Sequence, residues 1–311
     1  MPLAPGSLTD VAGLCVGHAR MAGRDTGCSV VLCPDGTVGG VAQRGGAPGT
    51  RETDLLRPEN TVDVVHAVLL TGGSAFGLDA AGGVMRWLDE HGLGLPVGPA
   101  RVPIVPAAVL FDLWLGDPRI RPDAACGHAA CEAAGASTPA QGRVGAGLGA
   151  TVGKMFGIAR ASPGGIGTAS LKLGAFTVGA LVAVNALGDV LGEDGQPIAG
   201  ARTEDGSALV GTQAALLAGQ GPAVVMAGMA TTIGVVATDA RLTKAQATQL
   251  AALAHHGLSR AVSPLTAHDG DTLFALATGG AGRPGELSAL GALAAEAVAR
   301  AIRNAVRAAA G

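Results

Sequence analysis

Apolar positions along this chain recur in two rhythms, one of period two and one of helical period, and the rhythms alternate in blocks. From Val64 to Leu70 a β-branched and aliphatic run predicts a buried strand, and Thr71-Gly72-Gly73-Ser74 turns it into a helix ending near Glu90 and Gly92. Phe176 to Leu187 alternates and then runs apolar, the pattern of a central strand interrupted by Asn185, and Thr231 to Thr238 is a second β-rich stretch. Thr243 with Gln246 makes a capping box, and Ala247, Leu250, Ala251 and Ala254 give the helix behind it one apolar face up to Gly257. Glu286 to Ala310 places Leu287, Leu290, Leu293, Ala294, Val298, Ile302 and Val306 at helical spacing, with Arg300, Arg303 and Arg307 complementing the dipole at its end.

The intervening segments carry other signals. Prolines from Pro96 to Pro122 predict a covering loop with short strands between Gly92 and Asp123. The glycine-dense run from Gly142 to Gly174 predicts hairpins at 144–154 and 163–170 bordering a site, and Gly188 to Ser207 reads as a polar loop. No polar linker divides the chain and no internal repeat is evident, so a single domain over 1–311 with layered α/β (α+β) packing is expected.

Composition sharpens this picture. The 51 glycines, the abundant alanine and the lack of tyrosine mean that small side chains must let backbones approach closely. A formal charge of -3 with no basic stripe gives no source for phosphate attraction, so no nucleic-acid partner is expected. Five cysteines without a CxxC pair suit a reducing compartment, and there is neither a signal-peptide pattern nor an apolar run of about 18 residues, so a cytoplasmic protein without a membrane partner is expected.

Familiar catalytic signatures are missing: no G-x-S-x-G elbow, H-E-x-x-H pair or cysteine knuckle occurs, and neither metal nor cofactor is expected. His255 and His256 read as structural residues near a helix end. The loop Gly72-Gly73-Ser74 can present N–H groups to an anion or simply shape a substrate pocket, since it lacks a Walker lysine. Lys154, one of three lysines, suits either a desolvated site amine or a surface charge. Asp269-Gly270-Asp271 suits either a same-sided carboxylate pair on extended backbone or a turn. Arg51 and Glu52 suit either contacts to substrate termini or an ion pair that supports the fold.

Five segments together are similar to one family: Gly45-Gly-Ala-Pro-Gly-Thr-Arg-Glu-Thr-Asp54, Leu70-Thr-Gly-Gly-Ser-Ala-Phe-Gly-Leu-Asp79, Arg101-Val-Pro-Ile-Val-Pro106, Gly164-Gly-Ile-Gly-Thr168 and Thr231-Thr-Ile-Gly-Val-Val-Ala-Thr-Asp239. They resemble the family of the L-aminopeptidase/D-esterase-amidase, the β-peptidyl aminopeptidases and the endo-acting nylon-oligomer hydrolase. The resemblance implies a four-layer αββα sandwich that cleaves itself into a larger fragment 1–230 and a smaller fragment 231–311. It further implies that Thr231 acts as an N-terminal nucleophile on small peptides, amino amides or linear amide oligomers, its own α-amine serving as base. By the same resemblance Asp269 and Asp271 orient the nucleophile and Asn185 stabilises the oxyanion. Lys154 matches a site lysine of the nylon-oligomer branch, whereas the aminopeptidase branch uses a tyrosine that this chain does not contain, so the chain stands nearer the former. Ala230 departs from the asparagine or glycine that relatives carry before the cleavage point. Relatives form tetramers or octamers, which implies a homo-oligomer here. The alternatives are an acyltransferase like the self-cleaving ornithine acetyltransferases, and an uncleaved, non-catalytic binding protein.

Overall fold

Two five-stranded sheets stack face to face, and helices cover both outer sides. The computed structural model describes residues 2–220 and 228–311. The first sheet has the order Cys15–Arg20, Gly27–Leu32, Ala67–Thr71, Ala107–Val109, Thr50–Arg51. The second has Gly165–Leu173, Phe176–Asn185, Thr231–Thr238, Thr272–Ala277, Val38–Gln43. Neighbours are antiparallel except Ala67–Thr71 beside Ala107–Val109 and Thr231–Thr238 beside Thr272–Ala277.

Period-two alternation sorts the side chains between layers. Val178, Ala180, Val182 and Val184 pack beneath the helices Lys244–Ala261 and Leu287–Ala309. Leu181 and Ala183, from the same strand, point the other way and meet Ile233, Phe274 and, from the first sheet, Val31, Val68 and Leu70. On the far side Val30, Ala67 and Leu69 lie against the helices Ala80–Glu90 and Ala124–Glu132. The architecture is the expected αββα sandwich, with hydrophobic layers above, between and below the sheets.

Several boundaries differ from the sequence pattern. The strand expected from Val64 begins at Ala67, and Val64 instead makes an isolated bridge to Val38. A 3-10 turn, Ser74–Asp79, precedes the helix Ala80–Glu90. The capping box of Thr243 forms as expected, but the helix runs through to Ala261. Gly257 does not end it, because this glycine lies where the two long helices touch and a Cβ there would sit 2.1 Å from the Ala295 carbonyl oxygen. The residues 163–170 do not form a separate hairpin: most belong to the edge strand Gly165–Leu173, which pairs along its length with Phe176–Asn185. In 144–154 only Thr151–Val152 is extended, paired with Ser162–Pro163. The apolar stretch from Ala208 contributes the short helix Thr212–Leu217, and its residues 221–227 lie outside the described residues. All five cysteines are free thiols, and among the described residues no helix is long and apolar enough to cross a membrane.

Adjacent glycines on one helix provide a test of the small-residue packing. Gly82 faces open space, whereas a Cβ on Gly83 would lie 1.7 Å from the Ala124 carbonyl oxygen of the neighbouring helix. Gly82→Ala should therefore stabilise by about 0.5–1 kcal/mol through helix propensity. Gly83→Ala should destabilise by about 1–3 kcal/mol through overpacking. Thermal melts of the two variants check the pair, and a gain in both would show that the helices are not in contact at Gly83.

Candidate active site

Three strand ends converge at one end of the second sheet. Asn185, the last residue of its strand, lies opposite Thr231, the first of the next. On the other side Thr272–Ala277 runs parallel to Thr231–Thr238, so the residues entering that strand, Asp269-Gly270-Asp271, pass alongside Ala230 and Thr232. A turn held by the Asp269 N–H donating to the Thr266 carbonyl at 3.2 Å precedes the aspartates, and Asp269 itself pairs with Ala230 in a parallel bridge. The turn thus comes just before Asp269, which stands on bridged backbone, and Asp271 directly precedes the strand Thr272–Ala277.

The Ala230–Thr231 peptide is the centre of this arrangement. The Thr231 hydroxyl donates to the Ala230 carbonyl oxygen at 2.5 Å, and the Gly270 N–H donates to the same oxygen at 2.9 Å. Asp271 Oδ1 accepts the Thr232 N–H at 2.6 Å. Asp269 Oδ1 accepts the Leu187 N–H at 3.3 Å, and its Oδ2 accepts the Thr266 hydroxyl at 2.6 Å and the Thr266 N–H at 3.0 Å. Thr231, Asn185, Asp269, Asp271 and Lys154 are all buried.

Lys154 opens a 3-10 turn whose backbone is tied to the site by its N–H donating to the Leu187 carbonyl at 3.0 Å. Its Nζ donates to the carbonyls of Thr151 at 2.6 Å, Asn185 at 2.6 Å and Ala186 at 3.0 Å, which uses all three ammonium hydrogens. Burial pulls the Lys154 pKa down to about 7, against the opposing pull of Asp269 and Asp271. Burial, helped by the negative charge of Asp269, pushes Asp271 up to about 8, while the Thr232 N–H and Lys154 act against it. Proton exchange within this cluster therefore falls close to neutral pH, as acid-base chemistry at ordinary pH requires.

Asn185 is fixed at both ends of its amide. Its Oδ1 accepts the Thr151 N–H at 3.0 Å, and its Nδ2 donates to the Phe111 carbonyl at 2.9 Å. The Phe111 segment is itself anchored through Asp112, which forms a fully buried ion pair with Arg24 and accepts the Thr26 hydroxyl at 2.6 Å. A largely apolar cavity of about 90 Å³ adjoins Ala230, lined also by Trp114, Lys154, Gly157, Ile158, Leu187 and Met229.

The structure unites Thr231, Asp269, Asp271, Asn185 and Lys154, but it uses the other candidates internally. Gly73 N–H donates to Asp112 Oδ1 at 2.9 Å and Ser74 N–H to the Leu110 carbonyl at 3.0 Å, so this loop serves an internal carboxylate rather than an external anion. Gly72 N–H is taken by the Gly27 carbonyl. Arg51 points a guanidinium nitrogen at the Met85 sulfur at 3.0 Å, and Glu52 accepts the Val105 N–H at 3.1 Å. His255 is buried and its Nε2 lies 2.9 Å from the Ala42 carbonyl oxygen, the structural role expected of it. Arg24, Asp112, Thr151 and the Gly270 N–H escaped the sequence reading, and nothing in their spacing marks them: Arg24 and Asp112 are 88 residues apart. Among the described residues no three His, Cys, Asp or Glu are grouped to hold a metal ion.

Residues 6–311 match the model of Peptidase family S58. The chain belongs to that family. It is 48% identical over 297 residues to an uncharacterized aminopeptidase of Mycobacterium leprae, covering 88% of this chain and 78% of the relative. It is 34% identical over 273 residues to the 6-aminohexanoate-oligomer endohydrolase of Kocuria sp., covering 86% of this chain and 74% of that one. Its structure is similar to a Burkholderia sp. beta-aminopeptidase, with a TM-score of 0.71 and 26% identity over 99% of this chain and 88% of that chain. The fold is also that of the L-aminopeptidase D-Ala-esterase/amidase of Ochrobactrum anthropi, described as a variant of the Ntn hydrolase fold, with a TM-score of 0.73 and 23% identity over 99% of this chain and 88% of that chain. This S58 protein is an enzyme of the peptidase and amide-hydrolase class.

The raised pKa of Asp271 has a thermodynamic signature. A carboxyl whose pKa is higher in the folded state than in the unfolded state favours folding below the unfolded value and loses that contribution as pH rises through the folded one. The protein with Asp271 should therefore lose stability relative to Asp271→Asn between pH about 4 and about 8. Denaturant titrations at pH 5 and pH 8 measure the gap, and an equal gap at both would mean that the carboxyl titrates normally.

Proposed function

We propose that this chain cuts its own Ala230–Thr231 bond and then hydrolyses amides with Thr231 as its N-terminal nucleophile. The observation that carries the reading is the Ala230 carbonyl, which accepts the Thr231 hydroxyl at 2.5 Å and the Gly270 N–H at 2.9 Å beside a buried proton-exchanging cluster. In the intact chain the Thr231 oxygen, after turning from its hydrogen bond, attacks the Ala230 carbonyl carbon and passes its proton to the cluster of Lys154, Asp269 and Asp271. The Gly270 N–H holds the oxyanion. Collapse breaks the C–N bond as the Thr231 nitrogen takes a proton, leaving an ester between Ala230 and the Thr231 oxygen. Water hydrolyses that ester to an Ala230 carboxylate and a Thr231 with a free α-amine.

The freed amine, with a pKa of about 8, then serves as the base that amide nitrogen cannot be. Thr231 attacks a substrate amide carbonyl, the leaving amine is protonated and departs, and water releases the acyl group. Asn185 fits as the oxyanion donor for this second reaction, because one Nδ2 hydrogen goes to Phe111 and the other has no partner among the described residues. Small peptides, amino amides and linear amide oligomers are the substrates that suit the small, largely apolar cavity beside Ala230. We further infer a cytoplasmic homo-oligomer, whose subunit number sedimentation measures.

Mass spectrometry of purified protein should find fragments 1–230 and 231–311, the second beginning Thr-Thr-Ile-Gly. Thr231→Ala should remain one chain without turnover and Thr231→Ser should still cleave; cleavage of the alanine variant at the same bond would falsify the assignment. Asn185→Ala should still cleave itself but lose about 10²–10³-fold in kcat on an amide substrate. Unchanged turnover would remove Asn185 from the mechanism.

A further inference from the structure

A cleft of about 520 Å³ shares Thr151 with the surroundings of Asn185 and Lys154, and its chemistry differs from that of the small cavity. Its lining includes Arg20, Arg24, Asp25, Arg143, Thr151 and Ile158. Two of these residues connect it to the reacting groups. Thr151 gives its N–H to Asn185 Oδ1 and its carbonyl to Lys154 Nζ. Ile158 also lines the cavity beside Ala230.

The charges in this cleft do not cancel. Arg24 is consumed internally, its guanidinium bonding Asp112 and the carbonyls of Leu115 and Ile120. Arg143 bonds Asp25 at 2.8 Å, and Arg20 reaches the other oxygen of the same carboxylate at only 3.6 Å, with its side chain 68% exposed. Two guanidinium groups thus share one carboxylate at the wall of a groove that borders the site through Thr151 and Ile158. The hydroxyl of Thr151 is buried and has no hydrogen-bond partner among the described residues.

We propose that this cleft is the leaving-group subsite and that it selects amides whose amine half ends in a carboxylate, with Arg20 as the main anchor. The inference rests on the amide hydrolysis proposed above. Cutting a linear peptide or an amino-acid oligomer releases an amine that ends in a carboxylate, and guanidinium groups are suited to bind it in a partly desolvated groove. Asp25 holds Arg143 in place and keeps the groove selective for one anion rather than generally basic.

The test uses paired substrates with the same acyl half, whose leaving amines end in a free carboxylate or in a carboxamide. Wild type should favour the carboxylate by about fivefold in kcat/KM, expressed mainly in KM and shrinking with added salt, as for an exposed ion pair. Arg20→Ala should bring the ratio towards one, and Arg20→Lys should restore part of it. Calorimetric binding of the two leaving amines themselves should give the same preference without any turnover. Equal kcat/KM for the two substrates in wild type, or a ratio that Arg20→Ala leaves unmoved, overturns the subsite. Preferential binding of the carboxylate amine by a protein that hydrolyses no amide would sink the hydrolase reading while sustaining the subsite.

Discussion

One lysine amine and two aspartate carboxyl groups are buried together at the end of a sheet, and the chain satisfies them almost entirely with its own backbone. Lys154 has three carbonyls, Asp271 has the Thr232 N–H, and Asp269 has those of Leu187 and Thr266. Isolated charges in such a place would cost several kcal/mol each. Backbone partners lower that cost only if the strands supplying them hold their register, so the charged site and the sheet depend on each other. A slip of one residue in Phe176–Asn185 would turn Asn185 to the other face and misalign the Asn185 and Ala186 carbonyls.

Rigidity on this scale comes from thin layers. Alanine and glycine line the helix contacts, and the interior between the sheets is filled by Leu181, Ile233, Phe274 and Leu276. The first sheet contributes more than a cover. Its loop carries Asp112, and the buried pair with Arg24 fixes the neighbouring Phe111 carbonyl that holds Asn185. A buried pair of this kind contributes little net stability against apolar replacement, yet losing one partner strands the other. Its value here lies in position, because it transmits the geometry of one sheet to a side chain on the other.

The parts legible in the sequence were those with local causes. The capping box at Thr243, the alternation of Phe176 to Leu187 and the stripe from Leu287 to Val306 each follow from spacing along one element. The helix Ala124–Glu132 and the strands between Cys15 and Gln43 lack such a signature, since their small or mixed side chains show no period that distinguishes strand, helix and turn. At the site, family likeness pointed to Thr231, Asp269, Asp271, Asn185 and Lys154, and the fold assembles all of them. The loop Gly72-Gly73-Ser74 illustrates the limit of local reading. Its donors are real, but the fold uses them internally: Gly73 meets the Asp112 carboxylate, and Gly72 and Ser74 meet backbone carbonyls. Arg24, Thr151 and the Gly270 N–H escaped for the same reason, their roles being set by long-range pairing.

The same geometry explains how one threonine could perform two reactions in succession under the proposed mechanism. While its nitrogen is an amide it cannot accept a proton, so the first step must borrow a base from the buried cluster, where burial holds the Lys154 and Asp271 pKa values near neutrality. The Gly270 N–H already rests on the Ala230 oxygen as an ordinary strand-pairing bond, and it would need only to strengthen as that oxygen gains charge. Once the bond is cut, the nitrogen becomes an amine and supplies the base, and the Ala230 end can withdraw from the space that a substrate carbonyl must enter. Processing therefore exchanges a poor intramolecular acyl donor for an open site without moving the strands that hold Asn185, Lys154 and the aspartates. Under the proposed mechanism the residue at position 230 contributes chiefly a carbonyl, a requirement that alanine can meet.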